Sequence, residues 1–236
     1  MEPQHIRAKR GDIAKRVVIS GDPARVVQLS GLLKGRRLVN ENRGFLTYTG
    51  EYDGKSITVA CHGIGGPSTA IVVEELVMLG ARAIVRLGSC GGLLKPMRVG
   101  DMVIVTEAGY KGGTLDQYFH KKVTPKPDRT LTELLKDSAK KQGGRYYAGP
   151  VFSSDAFYAE DLDFVTASAK KGYIAIEMEC ATLFGLGKLR RVKTASLLLV
   201  SDNITESAPI VDAEALHEYT AKAGKLAFEA LNGLQV

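Results

Sequence analysis

Three polar clusters each adjoin an apolar run that is typical of a buried β-strand. They are Ser20-Gly21-Asp22-Pro23-Ala24-Arg25, Arg86-Leu87-Gly88-Ser89-Cys90-Gly91-Gly92 and Ser201-Asp202-Asn203. In an open α/β sheet, ligands bind at the carboxyl ends of the strands. We therefore expect the three strands to end at these clusters and the clusters to share one rim. There Asp202 would handle a proton, and Arg25 and Arg86 would hold an anion.

Each of these residues also has an ordinary structural explanation. Arg25 and Arg86 offer planar donors that suit an oxyanion, but either could form a surface ion pair. Ser201 and Asp202 are also residue types that cap helix N-termini. Position along the chain does not choose between these alternatives.

Two carboxylates bracket a methionine at Glu177-Met178-Glu179. In a strand, both carboxylates would point the same way, which is costly in a core but useful for holding a diol. A helix N-terminus, which favours acidic residues, explains the pattern equally well. His5 lies in a polar N-terminal arm, where an unpaired surface histidine is expected unless a neighbouring subunit's site uses it.

Several common functional motifs are absent. The residues around Ser89 do not match G-x-S-x-G, and Gly63, Gly65 and Gly66 lack the G-x-G-x-x-G spacing. The three cysteines contain no C-x-x-C pair, so we expect neither a metal site nor a disulfide framework. The net charge of +6 could suggest a nucleic-acid partner, but the basic residues form short scattered clusters that are typical of a solvated surface.

Length and composition indicate how the chain is organised. No shift in composition divides the 236 residues, so we expect residues 1–236 to form a single domain. The N-terminal residues have no apolar segment of the signal-peptide type, and no run of eighteen apolar residues occurs. We therefore expect a cytoplasmic protein with no membrane partner.

Strand and helix patterns alternate along the chain. Strands are predicted at 15–20, 45–52, 56–62, 82–87, 101–106, 146–152, 173–176 and 193–200. Helices are predicted from Pro23 and at 68–80, 131–141, 160–171, 180–189 and 213–231. Asp53-Gly54 predicts a hairpin, and the irregular stretch 109–128 fits a lid, an interface or a disordered loop. The pattern predicts an α/β fold with a mixed central sheet.

The polar clusters belong to a longer series of short blocks. In chain order these are His5-Ile6, Gly21-Asp22-Pro23-x-Arg25, Asn42-Arg43-Gly44, His62-Gly63-Ile64-Gly65, Arg86-x-Gly88-Ser89-Cys90-Gly91, Phe152-Ser153-Ser154-Asp155, Phe157-Tyr158, Glu177-Met178-Glu179 and Ser201-Asp202. In these blocks and their order, nearly the whole chain resembles the nucleoside phosphorylase family of purine nucleoside, uridine and archaeal 5′-methylthioadenosine phosphorylases. The resemblance implies a twisted mixed sheet flanked by helices. It also implies phosphorolysis of a nucleoside to base and sugar 1-phosphate, without a cofactor.

The resemblance further implies roles for individual residues. The residues that would bind phosphate are Gly21, Arg25, Arg86 and Ser89, with Arg43 from a neighbouring subunit. The residues that would bind ribose are Met178, Glu179 and the neighbour's His5. The residues that would contact the base are Phe157, Tyr158, Glu177, Ser201 and Asp202. Asp202 would act as the acid at purine N7, and a dimer, expected within a homohexamer, would be the smallest active unit.

Departures from the family pattern bear on the substrate. Bacterial hexameric purine enzymes have an arginine beyond the Ser-Asp pair, but residues 205–217 contain none. Uridine phosphorylases lack the Ser-Asp pair and carry Gln and Arg after Phe-Tyr, where this chain has AEDLD at 159–163. Residues 151–161 and Asn203 look most like the archaeal methylthioadenosine enzymes. We therefore expect a purine nucleoside as substrate. The alternatives are a uridine phosphorylase, a nucleosidase that uses water, or a non-catalytic nucleoside or nucleic-acid binder.

Overall fold

The computed structural model describes residues 2–206, 210–211 and 214–236. Within these residues the strands are β1 (Arg16–Ser20), β2 (Lys34–Asn40), β3 (Thr47–Tyr52), β4 (Lys55–Cys61), β5 (Ala83–Gly92), β6 (Met102–Tyr110), β7 (Tyr146–Ser153), β8 (Ala175–Glu177) and β9 (Lys193–Asn203). The α-helices are α1 (Pro23–Ser30), α2 (Gly65–Met78), α3 (Thr114–Tyr118), α4 (Arg129–Lys141), α5 (Leu162–Lys170), α6 (Cys180–Arg190) and α7 (His217–Gly233). Short 3₁₀ turns cover Asn42–Gly44, Phe157–Ala159 and Ile204–Glu206.

The strands form one mixed sheet in the order β2-β3-β4-β1-β5-β8-β7-β6-β9. Strands β1, β4, β5 and β9 are parallel to one another, whereas β6, β7 and β8 run in the opposite direction. Because β9 pairs with both β6 and β5, the five strands β5 to β9 close on themselves. Strand β5 is thereby shared between the open part of the sheet and its closed part.

Helices cover both faces of the sheet. On one face α2, α3 and α6 pack around a core that includes Val72 and Phe184, and on the other α1, α4 and α7 pack around Leu135 and Phe228. The predicted α/β fold with a mixed central sheet flanked by helices is confirmed. No helix among the described residues is long and apolar enough to cross a membrane.

Aspartate side chains fix the start of three helices. Asp22 accepts a hydrogen bond from the N–H of Ala24 at 2.8 Å at the start of α1, where Pro23 occupies the first turn. Asp128 and Asp161 cap α4 and α5 in the same way. Because Asp161 is the cap, α5 begins at Leu162 rather than at the predicted residue 160.

The hairpin prediction is confirmed, and one strand was missed. Tyr52 pairs with Lys55, and Asp53 and Gly54 have φ of 47° and 73°, as a tight hairpin turn requires. The missed strand is β2, which lies at the edge of the sheet with its first five residues exposed. An exposed edge strand lacks the apolar alternation by which strands are found in a sequence.

The prediction that β5 and β9 end at their polar clusters is wrong. The two strands remain paired as far as Gly92 and Asn203, so the polar residues lie inside the strands. The register shifts between Cys90, which pairs with Val200, and Gly91, which pairs with Asp202. Ser201 is therefore the extra residue of a β-bulge, a feature that re-aims side chains beside functional sites.

The remaining differences concern element boundaries. Helix α2 begins at Gly65, three residues before the predicted start, because the chain turns into the helix at the glycines. The irregular stretch 109–128 contains the end of β6, which continues to Tyr110, and the short helix α3, which was not predicted. The N–H of Ala108 donates to the carbonyl of Pro125 in this stretch at 3.0 Å. The predicted start of the last helix at residue 213 lies outside the described residues.

The N-terminal arm is held by one buried carboxylate. Glu75 on α2 accepts hydrogen bonds from the backbone N–H groups of Gln4, His5 and Ile6, at 2.6 to 3.1 Å. The same carboxylate contacts His5 Nδ1 at 2.8 Å. Burial opposes ionisation of Glu75, but these hydrogen bonds outweigh it and hold its pKa below the ordinary value.

We predict that Glu75→Ala lowers the free energy of unfolding by about 1–3 kcal/mol, because the buried N–H of Ile6 loses its acceptor. Hydrogen exchange at residues 4–6 should become fast. Urea denaturation and exchange measurements check both effects. Glu133→Ala, which removes an exposed carboxylate on α4 paired with Lys136, is the control and should change neither quantity. Equal stability and equal hydrogen exchange in the two variants would contradict the inference that Glu75 holds the N-terminal arm.

Candidate active site

Two buried arginines approach each other where β1 and β5 pair. Arg25 lies on α1, just after β1, and Arg86 lies on β5 opposite Ile19; the two residues are 7% and 4% exposed. No hydrogen bond or ion pair joins the Arg25 guanidinium to a described residue. Burial lowers the pKa of Arg25, Asp22 partly offsets this, and Arg86 lowers it further. Buried charges are normally paired, so this guanidinium has free capacity to bind an anion.

Arg86, by contrast, is paired with two carboxylates. Its Nη2 donates to Glu179, and its Nη1 lies 3.3 Å from Glu177 Oε2. A Cβ at Gly88 would overlap the guanidinium, so a glycine two residues along β5 leaves room for this conformation. Burial opposes the charge on Arg86, but the carboxylate of Glu179, with a further contribution from Glu177, raises its pKa above the ordinary value.

Glu177 holds the start of α6. Its carboxylate accepts hydrogen bonds from the N–H groups of Glu179 and Cys180, at 2.8 and 2.9 Å, and from the hydroxyl of Ser153. Its side chain is completely buried. The helix-terminus explanation of the acidic pair therefore applies to Glu177. A contact between Glu177 and the base stays a prediction.

Glu179 faces the predicted phosphate site. Besides Arg86, its carboxylate accepts a hydrogen bond from the N–H of Gly65 at 2.8 Å, at the start of α2. Burial opposes ionisation, but the Arg86 guanidinium and the hydrogen bond from Gly65 outweigh it, so the pKa of Glu179 is lowered. The carboxylates of Glu177 and Glu179, which are two residues apart in the sequence, therefore both contact the guanidinium of Arg86.

Gly21 and Ser89 complete the predicted phosphate residues of this chain. A Cβ on Gly21 would lie 2.8 Å from the carbonyl oxygen of Gly63, so a glycine is needed for the turns after β1 and β4 to touch. Ser89 is half-buried on β5, three residues after Arg86. The structure brings Arg25, Arg86 and Glu179 together, with Gly21 at their edge.

Asp202 is a buried acid on the bulged part of β9. The hydroxyl of Ser201 lies 2.7 Å from Asp202 Oδ1 and 3.2 Å from the carbonyl oxygen of Cys90. Burial raises the pKa of Asp202, and the Ser201 hydroxyl partly offsets the shift. The capping alternative fits Asn203 instead, because its Oδ1 accepts from the N–H and the hydroxyl of Thr205 at 3.1 and 2.6 Å.

A second acid, Glu160, lies close enough to Asp202 for their charges to interact, and the sequence analysis missed it. Burial raises the pKa of Glu160, with a further contribution from Asp202, while Ser154 lowers it. Its Oε1 is buried without a hydrogen-bond partner among the described residues. Only its place directly after the Phe-Tyr turn could have drawn attention to it. Phe157 and Tyr158 themselves are exposed, and their rings meet edge-on at 5.1 Å.

His5 and Arg43 lie on two neighbouring segments, the N-terminal arm and the turn at Asn42–Gly44. The side chain of Asn42 donates to the backbone carbonyl of His5 at 2.9 Å, which joins the arm to the turn that carries Arg43. Arg43 is exposed and has φ of 57°. No described hydrogen bond or ion pair links either residue to Arg25, Arg86 or Asp202. The expectation that a surface His5 is unpaired is wrong, because Glu75 pairs with it.

Met178 is half-buried and lines a narrow cleft with Ser153 and Asp155. A larger cavity of about 580 Å³ adjoins this cleft; it is lined by Tyr110, Lys111, Gly112, Asp116, Phe119, His120, Lys121 and Lys122. In the part of the chain that the structure describes, no three His, Cys, Asp or Glu side chains are grouped to hold a metal ion.

Comparisons with known proteins give the family. Residues 15–234 match the family model described as the phosphorylase superfamily. The guanosine phosphorylase of Halorubrum lacusprofundi is 36% identical, over 85% of this chain and 83% of that protein. The uridine phosphorylase of Treponema pallidum is 37% identical, over 96% and 92% of the two chains. The DeoD-type purine nucleoside phosphorylase of Mycoplasma genitalium is 35% identical, over 85% and 86%.

A solved structure agrees with these matches. The uridine phosphorylase of Vibrio fischeri superposes with a TM-score of 0.92 at 29% identity, over 99% of this chain and 98% of that one. Relatives named for purine and for uridine nucleosides have similar identity to this chain, so the comparisons do not separate these substrates. The resemblance predicted from the sequence blocks is confirmed. The chain belongs to the phosphorylase superfamily and is an enzyme of the pentosyltransferase type, related to nucleoside phosphorylases.

Proposed function

We propose that this enzyme cleaves purine nucleosides by phosphorolysis and releases the free base and (deoxy)ribose 1-phosphate. The observation that carries the proposal is the buried, unpaired guanidinium of Arg25 beside Arg86. A dianion between them would give Arg25 the charge-assisted partner that it lacks and would share Arg86 with Glu179. An enzyme that used water as nucleophile would not need Arg25 to hold an anion.

In the proposed complex, Gly21 and Ser89 complete the phosphate site, and Arg43 enters from a neighbouring subunit. Held by fixed donors, one phosphate oxygen would stand in line with C1′ of the sugar, which lowers the entropic cost of the attack. Ribose would lie on Met178, with its hydroxyls bound by Glu179 and its 5′ end near the neighbour's His5. Inorganic phosphate is then a co-substrate, and the reaction needs no cofactor.

Phosphate and Glu179 would compete for Arg86. In the structure, Arg86 is bound to Glu179 and Glu177. A phosphate that draws the guanidinium toward itself would release the Glu179 carboxylate to accept hydrogen bonds from the sugar hydroxyls. Phosphate and nucleoside would then each strengthen binding of the other.

Asp202 would act at the other end of the substrate. As the C1′–N9 bond breaks, positive charge develops on the sugar and negative charge on the purine; phosphate stabilises the first and a proton at N7 the second. Burial raises the pKa of Asp202, which favours the protonated acid that this role requires. Glu160, with its own raised pKa, would supply a second proton-holding carboxyl group beside it. A buried acid with a raised pKa suits the departure of a purine, which takes a proton at N7, and this supports a purine base.

Uridine phosphorolysis is the second candidate, because the Treponema pallidum and Vibrio fischeri proteins are named uridine phosphorylases.

A panel of inosine, adenosine, guanosine, 5′-methylthioadenosine and uridine, assayed for released base with and without phosphate, tests the proposal. We expect phosphate-dependent release from the purine nucleosides. Preference for uridine would reassign the base, and release without phosphate would indicate a nucleosidase. Binding to polynucleotides that weakens steeply with salt, without release of base, would indicate a non-catalytic nucleic-acid binder.

We predict that Arg25→Ala raises the phosphate KM by about tenfold or more, since a hydrogen bond to a charged group contributes about 1.5–3 kcal/mol. Its stability should not fall, because no described partner is lost. Arg86→Ala is the informative contrast. It should raise the phosphate KM and also destabilise the fold by about 3–5 kcal/mol, because Glu177 and Glu179 lose their cation. Steady-state kinetics and urea denaturation of both variants check this, and a wild-type phosphate KM in Arg25→Ala would place the anion elsewhere.

We predict that Asp202→Asn slows phosphorolysis of inosine strongly, by about 10²-fold or more, because an amide cannot transfer a proton. It should slow phosphorolysis of 7-methylguanosine much less, since the base of that nucleoside already carries positive charge at N7. In the wild type, kcat/KM for inosine should also fall as the pH rises through the raised pKa of Asp202, and 7-methylguanosine should lack this alkaline fall. Equal losses for the two nucleosides would remove Asp202 from the acid role.

We predict that inactive Arg43→Ala and inactive Asp202→Ala subunits recover activity when mixed. Hybrid sites would combine an intact pocket from one subunit with an intact Arg43 from the other, in an assembly whose smallest active unit is a dimer. Activity should be measured after subunit exchange is verified by mass spectrometry. No recovery would mean that each site is built from one chain.

A further inference from the structure

His62 lies between the end of β4 and the start of α2, close to Arg25 and Arg86. Its backbone N–H donates to the carbonyl of Ser20 at 2.9 Å, and its carbonyl accepts from the hydroxyl of Ser68 at 2.6 Å. Its ring is fully buried, with Nδ1 at 3.1 Å from the hydroxyl oxygen of Thr69. The backbone and one ring nitrogen are therefore fixed by neighbouring elements.

The other ring nitrogen has no partner. Nε2 of His62 is buried and forms no hydrogen bond with the described residues. Buried polar atoms are almost always satisfied, and an exception calls for a ligand, water or functional explanation. When the Thr69 hydroxyl donates to Nδ1, the ring hydrogen lies on Nε2, which becomes a donor without an acceptor.

The free nitrogen lies next to the proposed phosphate site. The ring carbon Cε1, which is bonded to Nε2, lies 3.5 Å from the position that a Cβ on Gly21 would take. The charged groups that act on the ring are Glu179, Arg86 and Arg25. The carbonyl of Gly63 also acts on the ring as a weak acceptor, but it forms no hydrogen bond of normal geometry with Nε2. Burial is the main cause that lowers the pKa of His62 to about 4, so the imidazole is neutral at pH 7.

The acceptor that would satisfy Nε2 is an oxyanion rather than a side chain of this chain. Glu179 already accepts from Arg86 and from the N–H of Gly65. Arg25 lacks a partner as well, so a guanidinium and a neutral N–H are both unsatisfied near one glycine turn. A tetrahedral dianion has enough oxygens to accept from both while it also contacts Arg86.

We propose that His62 is a further phosphate-binding residue, whose Nε2–H donates to an oxygen of the bound phosphate beside Arg25 and Arg86. The proposal rests on the function proposed above and adds a residue to its phosphate site. A neutral donor binds the anion without adding a third positive charge to this site. The role is confined to the phosphate and does not extend to the nucleoside.

Three variants separate this role from packing. His62→Gln keeps an amide N–H near the position of Nε2, His62→Asn keeps one only near Nδ1, and His62→Leu keeps none. For His62→Leu and His62→Asn we expect the phosphate KM to rise about tenfold, as for loss of one hydrogen bond to a charged acceptor. At saturating phosphate the nucleoside KM should stay within about twofold of wild type, and His62→Gln should behave almost as wild type.

Calorimetric titration of inorganic phosphate, with thermal melting of each variant, makes the result independent of turnover. Weaker phosphate binding in folded His62→Asn and His62→Leu, restored in His62→Gln, supports the role even if no nucleoside is cleaved, in which case the proposed function alone fails. Wild-type phosphate affinity in folded His62→Asn or His62→Leu overturns the role. An equal rise of both KM values at saturating co-substrate, or losses in His62→Gln as large as in His62→Leu, would assign His62 to packing and also overturn the role. If His62→Leu does not fold, His62→Asn and His62→Gln decide.

Discussion

The buried ion pair between Arg86 and Glu179, with Glu177 as a second carboxylate, is the interaction on which the site depends. Arg86 lies on β5, the strand that pairs with β1, β8 and β9. Glu177 ends β8 and holds the start of α6, while Glu179 reaches the start of α2 at Gly65. One guanidinium therefore joins the closed part of the sheet to two helices. Removing it would leave two buried carboxylates uncompensated, which is far more costly than losing a surface pair.

The same arrangement would make the site responsive to an anion. Arg25 supplies a second buried cation that no described residue pairs with, and His62 supplies a neutral donor without an acceptor. We infer that a phosphate dianion satisfies both and shifts Arg86 from Glu179 toward itself. Burial raises the pKa of Asp202 and of Glu160, the two acids that we place at the far end of the substrate. Negative charge would be bound at one end of the substrate and a proton delivered at the other, as separation of charge in the glycosidic bond requires.

Local sequence signals predicted part of this arrangement and could not predict the rest. Pro23 at a helix start, the Asp53-Gly54 hairpin and the apolar periods predicted most of the elements, because these features act within a few residues. The apolar pattern did not predict where β5 and β9 end, since backbone pairing extends these strands past the polar residues Ser89 and Asp202. The unpaired groups of His62 and Glu160 depend on contacts between distant parts of the chain. A single sequence does not contain that information, whereas the short blocks did indicate the family.

The exchange of Arg86 between Glu179 and phosphate is tested most directly by the affinity of a C-nucleoside, in which a carbon–carbon bond replaces the cleavable glycosidic bond. Its Kd should be measured by calorimetry in phosphate-free buffer and again with saturating phosphate. Release of Glu179 predicts tighter binding with phosphate, by about fivefold or more, and an equal effect of the C-nucleoside on the affinity for phosphate. A Kd that is unchanged or weaker with phosphate would contradict the exchange.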